Sequence, residues 1–160
     1  MNAMQRIIAI IQGQELIHCI NGDSETVKFV ADMDIDCDGI GGNPQRDPCF
    51  QPFTSLKPDL NAEIIPFIVV PPIVIKATLG VVLGCHAEVT YKGITVAAVV
   101  GDDGPTRKIG EGSPALAKLL GINPNPINGG VDAFEVTYKI HVGVPAVING
   151  ITYKLQPWRP

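Results

Sequence analysis

The chain has 160 residues, a formal net charge of −4, and 46% hydrophobic against 18% charged residues. That length suits one domain with a single hydrophobic core, and the composition is globular rather than disordered. The sequence shows no basic patch for a polyanion and no uninterrupted apolar run near the roughly 18 residues of a membrane-spanning helix. Nucleic acid and membrane are therefore not expected as partners.

Short strands separated by turns are the main predicted elements. The chain contains 17 Gly and 14 Pro without a repeat, which favours a mainly β fold. Runs rich in Val, Ile and Thr predict strands at residues 27–31, 64–70, 79–83, 86–91, 94–100, 133–142 and 147–155. Lys92-Gly93 predicts a tight turn within a hairpin over residues 86–100, and Asn149-Gly150 predicts a second, smaller hairpin.

One helix is predicted at residues 114–120. Ser113 can cap its N-terminus, Pro114 suits its first turn, and Gly121 ends it. An irregular stretch at residues 32–61 is long enough to be functional or held by a disulfide. These elements predict a single domain over residues 1–160, a compact β-barrel or sandwich with one short helix and long loops.

Carboxylates surround the junction between the apolar strand at 94–100 and the helix. Asp102 and Asp103 follow the strand, and Glu111 comes nine residues after Asp102. Glycosidic cleavage needs two such groups, one to protonate the leaving oxygen and one to activate water or attack the sugar. The alternative is structural, because aspartates are common in turns and an acid suits a helix N-terminus.

A second acidic cluster lies earlier in the chain. It consists of Asp32, Asp34, Asp36 and Asp38. If the segment is extended, carboxylates at alternate positions point to one side. The start resembles a calcium loop, but the twelfth position counted from Asp34 holds Gln45 instead of the required Glu. An acidic rim on a binding groove, a different kind of cation site and a solvated loop stay open.

The four cysteines permit two disulfides. They are Cys19, Cys37, Cys49 and Cys85. Cys37 and Cys49 flank one loop and are the natural pair, whereas no C-x-x-C spacing supports a zinc ribbon or a redox motif. The alternative is four reduced, buried thiols. The apolar run at residues 7–11 is too short for a convincing signal peptide.

The histidines and aromatic residues carry a weaker signal. His18, His86 and His141 are far apart and lack ligand spacing, and no G-x-S-x-G motif supports a nucleophilic triad. Aromatic side chains could stack on sugars, although residues of this type more often pack in the core or at the barrel rim. These are Phe50, Phe53, Tyr91, Tyr138, Tyr153 and Trp158.

Several blocks in order resemble the chitosanases of glycoside hydrolase family 75. The blocks are residues 31–39, 46–54, 60–62, 65–71, 79–80, 101–105 and 109–113. The resemblance implies a six-stranded barrel of the double-psi kind and an exported, extracellular protein. It also implies endo-acting, inverting hydrolysis of β-1,4 bonds in chitosan, with Asp102 and Glu111 as the catalytic pair. Asp103 stays open as the catalytic aspartate in place of Asp102.

The charge of the substrate gives the remaining acids a role. Chitosan is a polycation, so an acidic groove is expected to bind it. The expected substrate-binding residues are Asp32, Asp34, Asp36, Asp38 and Asp103. We expect a monomer with no metal and no cofactor. Hydrolysis of peptidoglycan on the same fold, and a non-catalytic domain that binds polysaccharide or a cation, are the alternatives.

Overall fold

The computed structural model describes residues 4–40, 51–78, 80 and 82–157. A closed barrel of six strands forms its centre, and the described residues also contain two short helices. In chain order the elements are β1 (Met4–Ile11), β2 (Gln14–Asn21), β3 (Ser24–Ile35), β4 (Phe67–Val70), α1 (Pro72–Lys76), β5 (Cys85–Tyr91), β6 (Ile94–Asp103), β7 (Glu111–Gly112), α2 (Pro114–Leu120), β8 (Val131–Pro145), β9 (Val147–Ile148) and β10 (Ile151–Thr152).

The barrel closes through β3, β7, β4, β6, β5 and β8, because β8 pairs with β3 as well as with β5. The pairs β3–β7 and β4–β6 are parallel, and the other four pairs are antiparallel. The prediction of a mainly β, six-stranded barrel is confirmed. Closure also protects the barrel strands, because a closed sheet has no free edge.

The core follows from alternation of side chains along the longer strands. In β3, Val27, Phe29, Ala31 and Met33 are buried, and their neighbours are more exposed. Because successive side chains of a strand point to opposite faces, these residues face the barrel interior. Phe29 stacks on the buried Tyr138 of β8, with ring centroids 5.0 Å apart.

Strand β4 is buried throughout, because both of its faces are covered. The hydroxyl of Ser113 holds the helix α2 against this strand: its oxygen accepts a hydrogen bond from the Phe67 backbone at 3.0 Å, and it donates to the Ile65 carbonyl at 2.8 Å. The same oxygen caps α2 by accepting from Leu116 N. The predicted helix is therefore confirmed, with Gly121 in the left-handed conformation at its end.

Both predicted hairpins are confirmed. Lys92 and Gly93 have positive φ between β5 and β6, and Asn149 and Gly150 have positive φ between β9 and β10. Of the predicted strand at 79–83, Leu79 and Val81 lie outside the described residues, and Leu83 forms an isolated bridge with Gln156.

The helix α1, the hairpin β1–β2 and the short strand β7 were not predicted. The helix α1 follows Pro71, whose extended conformation ends β4 and whose successor Pro72 occupies the first helical turn. The described residues therefore contain two short helices, where the sequence predicted one. The hairpin β1–β2 contains the apolar run 7–11 and extends the sheet beyond β3. Its register shifts between Ile7 and Ala9, and this irregularity obscures the alternation expected of a strand.

The structure does not test the predicted disulfide between Cys37 and Cys49, because Cys49 lies outside the described residues. Cys19 and Cys85 are free thiols, so the second disulfide that four cysteines would permit is not formed between them. No helix in the described ranges is long and apolar enough to cross a membrane.

Candidate active site

The two predicted catalytic carboxyl groups lie on strands that flank β4. Val69 of β4 is opposite Asp102 of β6 in one pairing and opposite Glu111 of β7 in the other. Directly opposed residues project to the same face of a sheet, so both acids share the face of Val69. Two strand spacings of about 4.8 Å put their backbones roughly 10 Å apart.

Asp102 is held by hydrogen bonds that favour its charged form. Its Oδ1 accepts from Ser55 N at 3.1 Å, from Ser55 Oγ at 2.5 Å and from Asp103 N at 3.0 Å. Burial nevertheless raises the pKa of Asp102 to about 6, against the lowering effect of the two Ser55 hydrogen bonds. The Ser55 hydroxyl also contacts the Asp103 carboxylate. One hydroxyl proton thus lies between two adjacent carboxyl groups.

Glu111 has a different environment, with a cation at its edge. Its pKa is raised to about 7, mainly by burial, and the nearby carboxylates of Asp34 and Asp102 act in the same direction. Lys108 lowers it, with Nζ 3.9 Å from Glu111 Oε1. A Cβ at Gly104 would lie 2.8 Å from Glu111 Oε2, so glycine there leaves room for the carboxyl group. The result is an acid that is about half protonated at neutral pH and mostly protonated in weakly acidic solution.

Asp36 is the most strongly perturbed carboxyl group of the cluster. Burial raises its pKa to about 8, and the charges of Asp38, Asp102 and Glu111 act in the same direction. A hydrogen bond at 2.8 Å from Asp38 N to Asp36 Oδ1 opposes this increase. The Asp38 carboxylate accepts in turn from Gln51 N at 2.8 Å, which joins the acidic segment to the next part of the loop.

Asp32 and Asp34 lie on the same side of β3 but have different roles. Asp34 forms an ion pair with Lys108. Asp32 Oδ1 is buried and has no partner among the described residues, and burial raises the pKa of this group to about 6. Gly110 has a φ of 86° and its Cβ position would overlap Asp32, so a glycine is required where β3 meets the loop before β7.

These residues line or border an open cavity of about 630 Å³. Its described acidic lining residues are Asp34, Asp36, Asp38, Asp103, Glu111 and Asp132. Lys108 is the single Lys or Arg of that described lining. Asp102 and Asp32 are outside the lining, and Asp102 lies behind it against Asp36 and Asp38. The cavity is therefore strongly acidic.

Sequence reasoning missed three residues of this site: Ser55, Lys108 and Asp132. Ser55 comes 47 residues before Asp102, and the sequence contains no signal for their hydrogen bond. Lys108 precedes Glu111 by three residues, and that short separation could have identified it.

The described aromatic residues proposed for sugar stacking do not line this cavity. None of the described residues that line it is aromatic. Tyr138 is buried inside the barrel, and Phe53 lines a separate pocket. Phe50 and Trp158 lie outside the described residues. The described lining therefore offers charged and hydrogen-bonding groups and no aromatic ring for stacking.

A cation is the one kind of cofactor that the acidic cluster could hold. One carboxylate oxygen from each of Asp36, Asp38 and Asp102 lies within 4.8 Å of the other two. Oxygen ligands of this kind suit Ca²⁺ or Mg²⁺. Asp36 and Asp102 already accept hydrogen bonds from the protein.

Comparison with known proteins identifies the family of this chain. Residues 33–155 match the model of a family described as fungal chitosanase of glycosyl hydrolase group 75. Endo-chitosanase C of Aspergillus oryzae is 34% identical over 125 residues, which cover 75% of this chain and 32% of that protein. The protein of the same name from A. oryzae strain ATCC 42149 / RIB 40 is 33% identical over 138 residues, 75% of this chain and 33% of its own length. The chain thus spans about a third of the length of the curated relatives it matches.

Proposed function

The chain belongs to the family of fungal chitosanases of glycosyl hydrolase group 75, and from that premise we propose that it hydrolyses β-1,4 bonds within chitosan with inversion at the anomeric carbon. The observation that carries the proposal is the opposition of Asp102 and Glu111 across Val69, beside an acidic cavity. Inversion needs carboxyl groups about 6.5–9.5 Å apart, so that a water fits against the sugar. A backbone separation of two strand spacings is compatible with that range.

Glu111 is the proposed general acid. It must carry a proton at the working pH, and a pKa of about 7 keeps a large fraction protonated at weakly acidic and neutral pH. Lys108, 3.9 Å away, stabilises the carboxylate that forms once the proton has passed to the leaving oxygen. Burial therefore favours the protonated form of Glu111 before proton transfer, and Lys108 stabilises the negative charge of Glu111 afterwards.

Asp102 is the proposed general base. Its Oδ1 accepts three hydrogen bonds from Ser55 and Asp103, and such donors stabilise the carboxylate. A pKa of about 6 leaves it ionised near neutral pH while keeping appreciable basicity. Asp103 lines the cavity directly and is the alternative base, which the experiment below distinguishes.

The charge of the cavity favours chitosan over peptidoglycan. Six acids and one lysine are among the described lining residues, and the acids that are ionised create a negative potential that attracts glucosamine ammonium groups. N-acetylated sugars lack that charge, and the acidic groups of peptidoglycan would be repelled. Binding of an ammonium group beside Asp36 would also lower the pKa of that carboxyl group, so that the aspartate becomes charged when substrate arrives.

The activity is tested by incubating the chain with chitosan and, separately, with peptidoglycan. We expect reducing ends and a rapid fall in viscosity from chitosan alone, with the α-anomer as the initial product by proton NMR. Release of the β-anomer would contradict inversion, and hydrolysis of peptidoglycan alone would contradict the proposal that chitosan is the substrate. Binding of chitosan without any product would identify a non-catalytic binding domain.

The roles of the pair are tested with two leaving groups. A chitosan oligosaccharide with a nitrophenyl leaving group needs little protonation, so Glu111→Gln should retain much more activity on it than on chitosan. Asp102→Asn should lose activity on both substrates, because water must still be activated. Loss on both substrates in Asp103→Asn alone, with Asp102→Asn active, would assign the base to Asp103.

A further inference from the structure

A second group of ionisable side chains lies on the outer face of the barrel. His86 and Glu88 alternate along β5, and His141 lies on the neighbouring β8. The interposed Ala87 and its partner Ile140 are fully buried, so the three polar side chains point away from the core. One ligand atom from each lies within 4.8 Å of the other two. None of the three lines the acidic cavity.

An irregularity of the sheet brings the two histidines together. Ala87 pairs with Ile140, so the next residue outward on each strand is His86 and His141. Cys85 then pairs with Pro145, which means that β8 bulges directly after this point. The two imidazole rings stack with centroids 5.0 Å apart and planes inclined by 26°. A bulge re-aims side chains, and bulges are frequent beside functional sites.

The protonation states suit a metal ligand. Burial and the neighbouring His141 lower the pKa of His86, which keeps its imidazole neutral at physiological pH. A hydrogen bond from His141 lowers the pKa of Glu88, which keeps that carboxyl group ionised. The side chains of His141 and Glu88 are 24% and 39% exposed, so an ion from solvent can reach them.

We propose that His86, Glu88 and His141 form a binding site for a transition-metal ion of the Zn²⁺ class. Two imidazoles and one carboxylate are three of the four ligands of a tetrahedral zinc site, and water can supply the fourth. The ion takes the place of the proton shared by His141 Nε2 and Glu88 Oε1, which moves to Nδ1 or to solvent. Bound metal ties β5 to β8 across the bulge.

Lys139 opposes this site and provides a way to tune it. It is in register with Glu88, and its charge lowers the pKa of that carboxyl group. A positive charge beside the ligands weakens the binding of a cation. Lys139→Met should therefore bind Zn²⁺ more tightly than the wild-type chain, while leaving all three ligands in place.

The proposal is tested by titrating the metal-free chain with Zn²⁺. Calorimetry measures the stoichiometry and affinity of binding, and thermal unfolding measures the change in Tm. We expect one saturable ion per chain, and a Tm rise of about 5–10 °C at free Zn²⁺ 100-fold above Kd. Mg²⁺ should give no such effect, because it prefers oxygen ligands. His86→Gln and His141→Gln should each weaken binding at least about tenfold, and Thr90→Ala, on the same face of β5, should not.

X-ray absorption of the zinc-loaded wild-type chain gives a second measurement that needs no variant. Two imidazoles in the first shell support the site. A shell of oxygen atoms alone would overturn it and place the ion at Asp36, Asp38 and Asp102 instead. Wild-type affinity weaker than about 1 mM, or unchanged affinity in both histidine variants, would also overturn the proposal.

Discussion

Glu111 and Glu88 lie on the same barrel, yet their surroundings move their pKa values in opposite directions. Burial and neighbouring carboxylates raise the pKa of Glu111 to about 7. The hydrogen bond from His141, together with the charge of Lys139, lowers the pKa of Glu88. The residue type is identical, so the difference comes from burial and from the sign of the nearest charges.

The two regions consequently respond to pH with opposite sign. A carboxyl group whose folded pKa is raised stabilises the fold below its unfolded pKa, and that contribution is lost as pH rises through the folded value. This applies to Glu111, Asp102 and Asp36. Glu88 has a lowered folded pKa, so its contribution is present above the unfolded pKa and is lost as pH falls through the folded value.

The largest expected effect is on turnover of chitosan, which substitution of Glu111 should lower and substitution of Glu88 should not. Glu111→Gln should lower kcat by about 10² to 10⁴, because it removes the general acid. Asp102→Asn should cause a loss of the same order. Glu88→Gln is the matched control and should retain normal turnover. Near-normal activity in Glu111→Gln and Asp102→Asn, measured by reducing-end release, would remove the pair from its proposed role.

A smaller effect is expected from the hydroxyl that supports Asp102. Ser55→Ala removes a hydrogen bond to the carboxylate, worth about 1.5–3 kcal/mol for a charged acceptor, so kcat/KM should fall about 10- to 100-fold. The pKa of Asp102 should rise, since the donor favours the anion, and the acidic limb of the pH–rate profile should move to higher pH. Thr90→Ala removes a hydroxyl outside the cavity and should change neither quantity.

A further test concerns substrate capture by the acidic cavity. The double variant Asp34→Asn, Asp36→Asn should raise KM several-fold without lowering Tm, because the charge of Asp34, and that of Asp36 once an ammonium group lies beside it, attract the polycation. Added salt should raise the wild-type KM more than that of the variant, since the Debye length falls below about 8–10 Å. A large fall in Tm with normal KM would show that these aspartates hold the loop together instead.

The smallest expected effect is on thermal stability. It tests whether the contributions of Asp36 and Glu88 to stability depend on pH with opposite sign. Asp36→Asn should leave Tm nearly unchanged below pH 3.8, the ordinary pKa of an aspartate, and raise it by about 4 °C or more at pH 8, because the pKa of about 8 makes ionisation costly in the fold. Glu88→Gln should lower Tm at neutral pH, and the difference should shrink in acid. Parallel pH dependence of the two variants in thermal unfolding would contradict the comparison.

Local sequence signals were sufficient for several elements of the fold. Ser113, Pro114 and Gly121 carry the capping chemistry of α2, and Lys92-Gly93 carries the turn of the long hairpin. These signals act within a few residues and do not depend on the remainder of the chain. The helix α1 was not predicted because its central residues Ile73, Val74 and Ile75 are β-branched, and such a run favours a strand.

For the site, the sequence by itself determined which acids the protein has and that Asp102 and Glu111 flank a strand–helix junction. Only the tertiary structure decided their neighbours. The parallel pairing of β4 with β6 aligns Val69 with Asp102, and closure of the barrel brings His86 to His141, residues that are 55 positions apart. Pairing between distant strands depends on register and closure, and the burial and charge that shift the pKa values arise only once those contacts have formed.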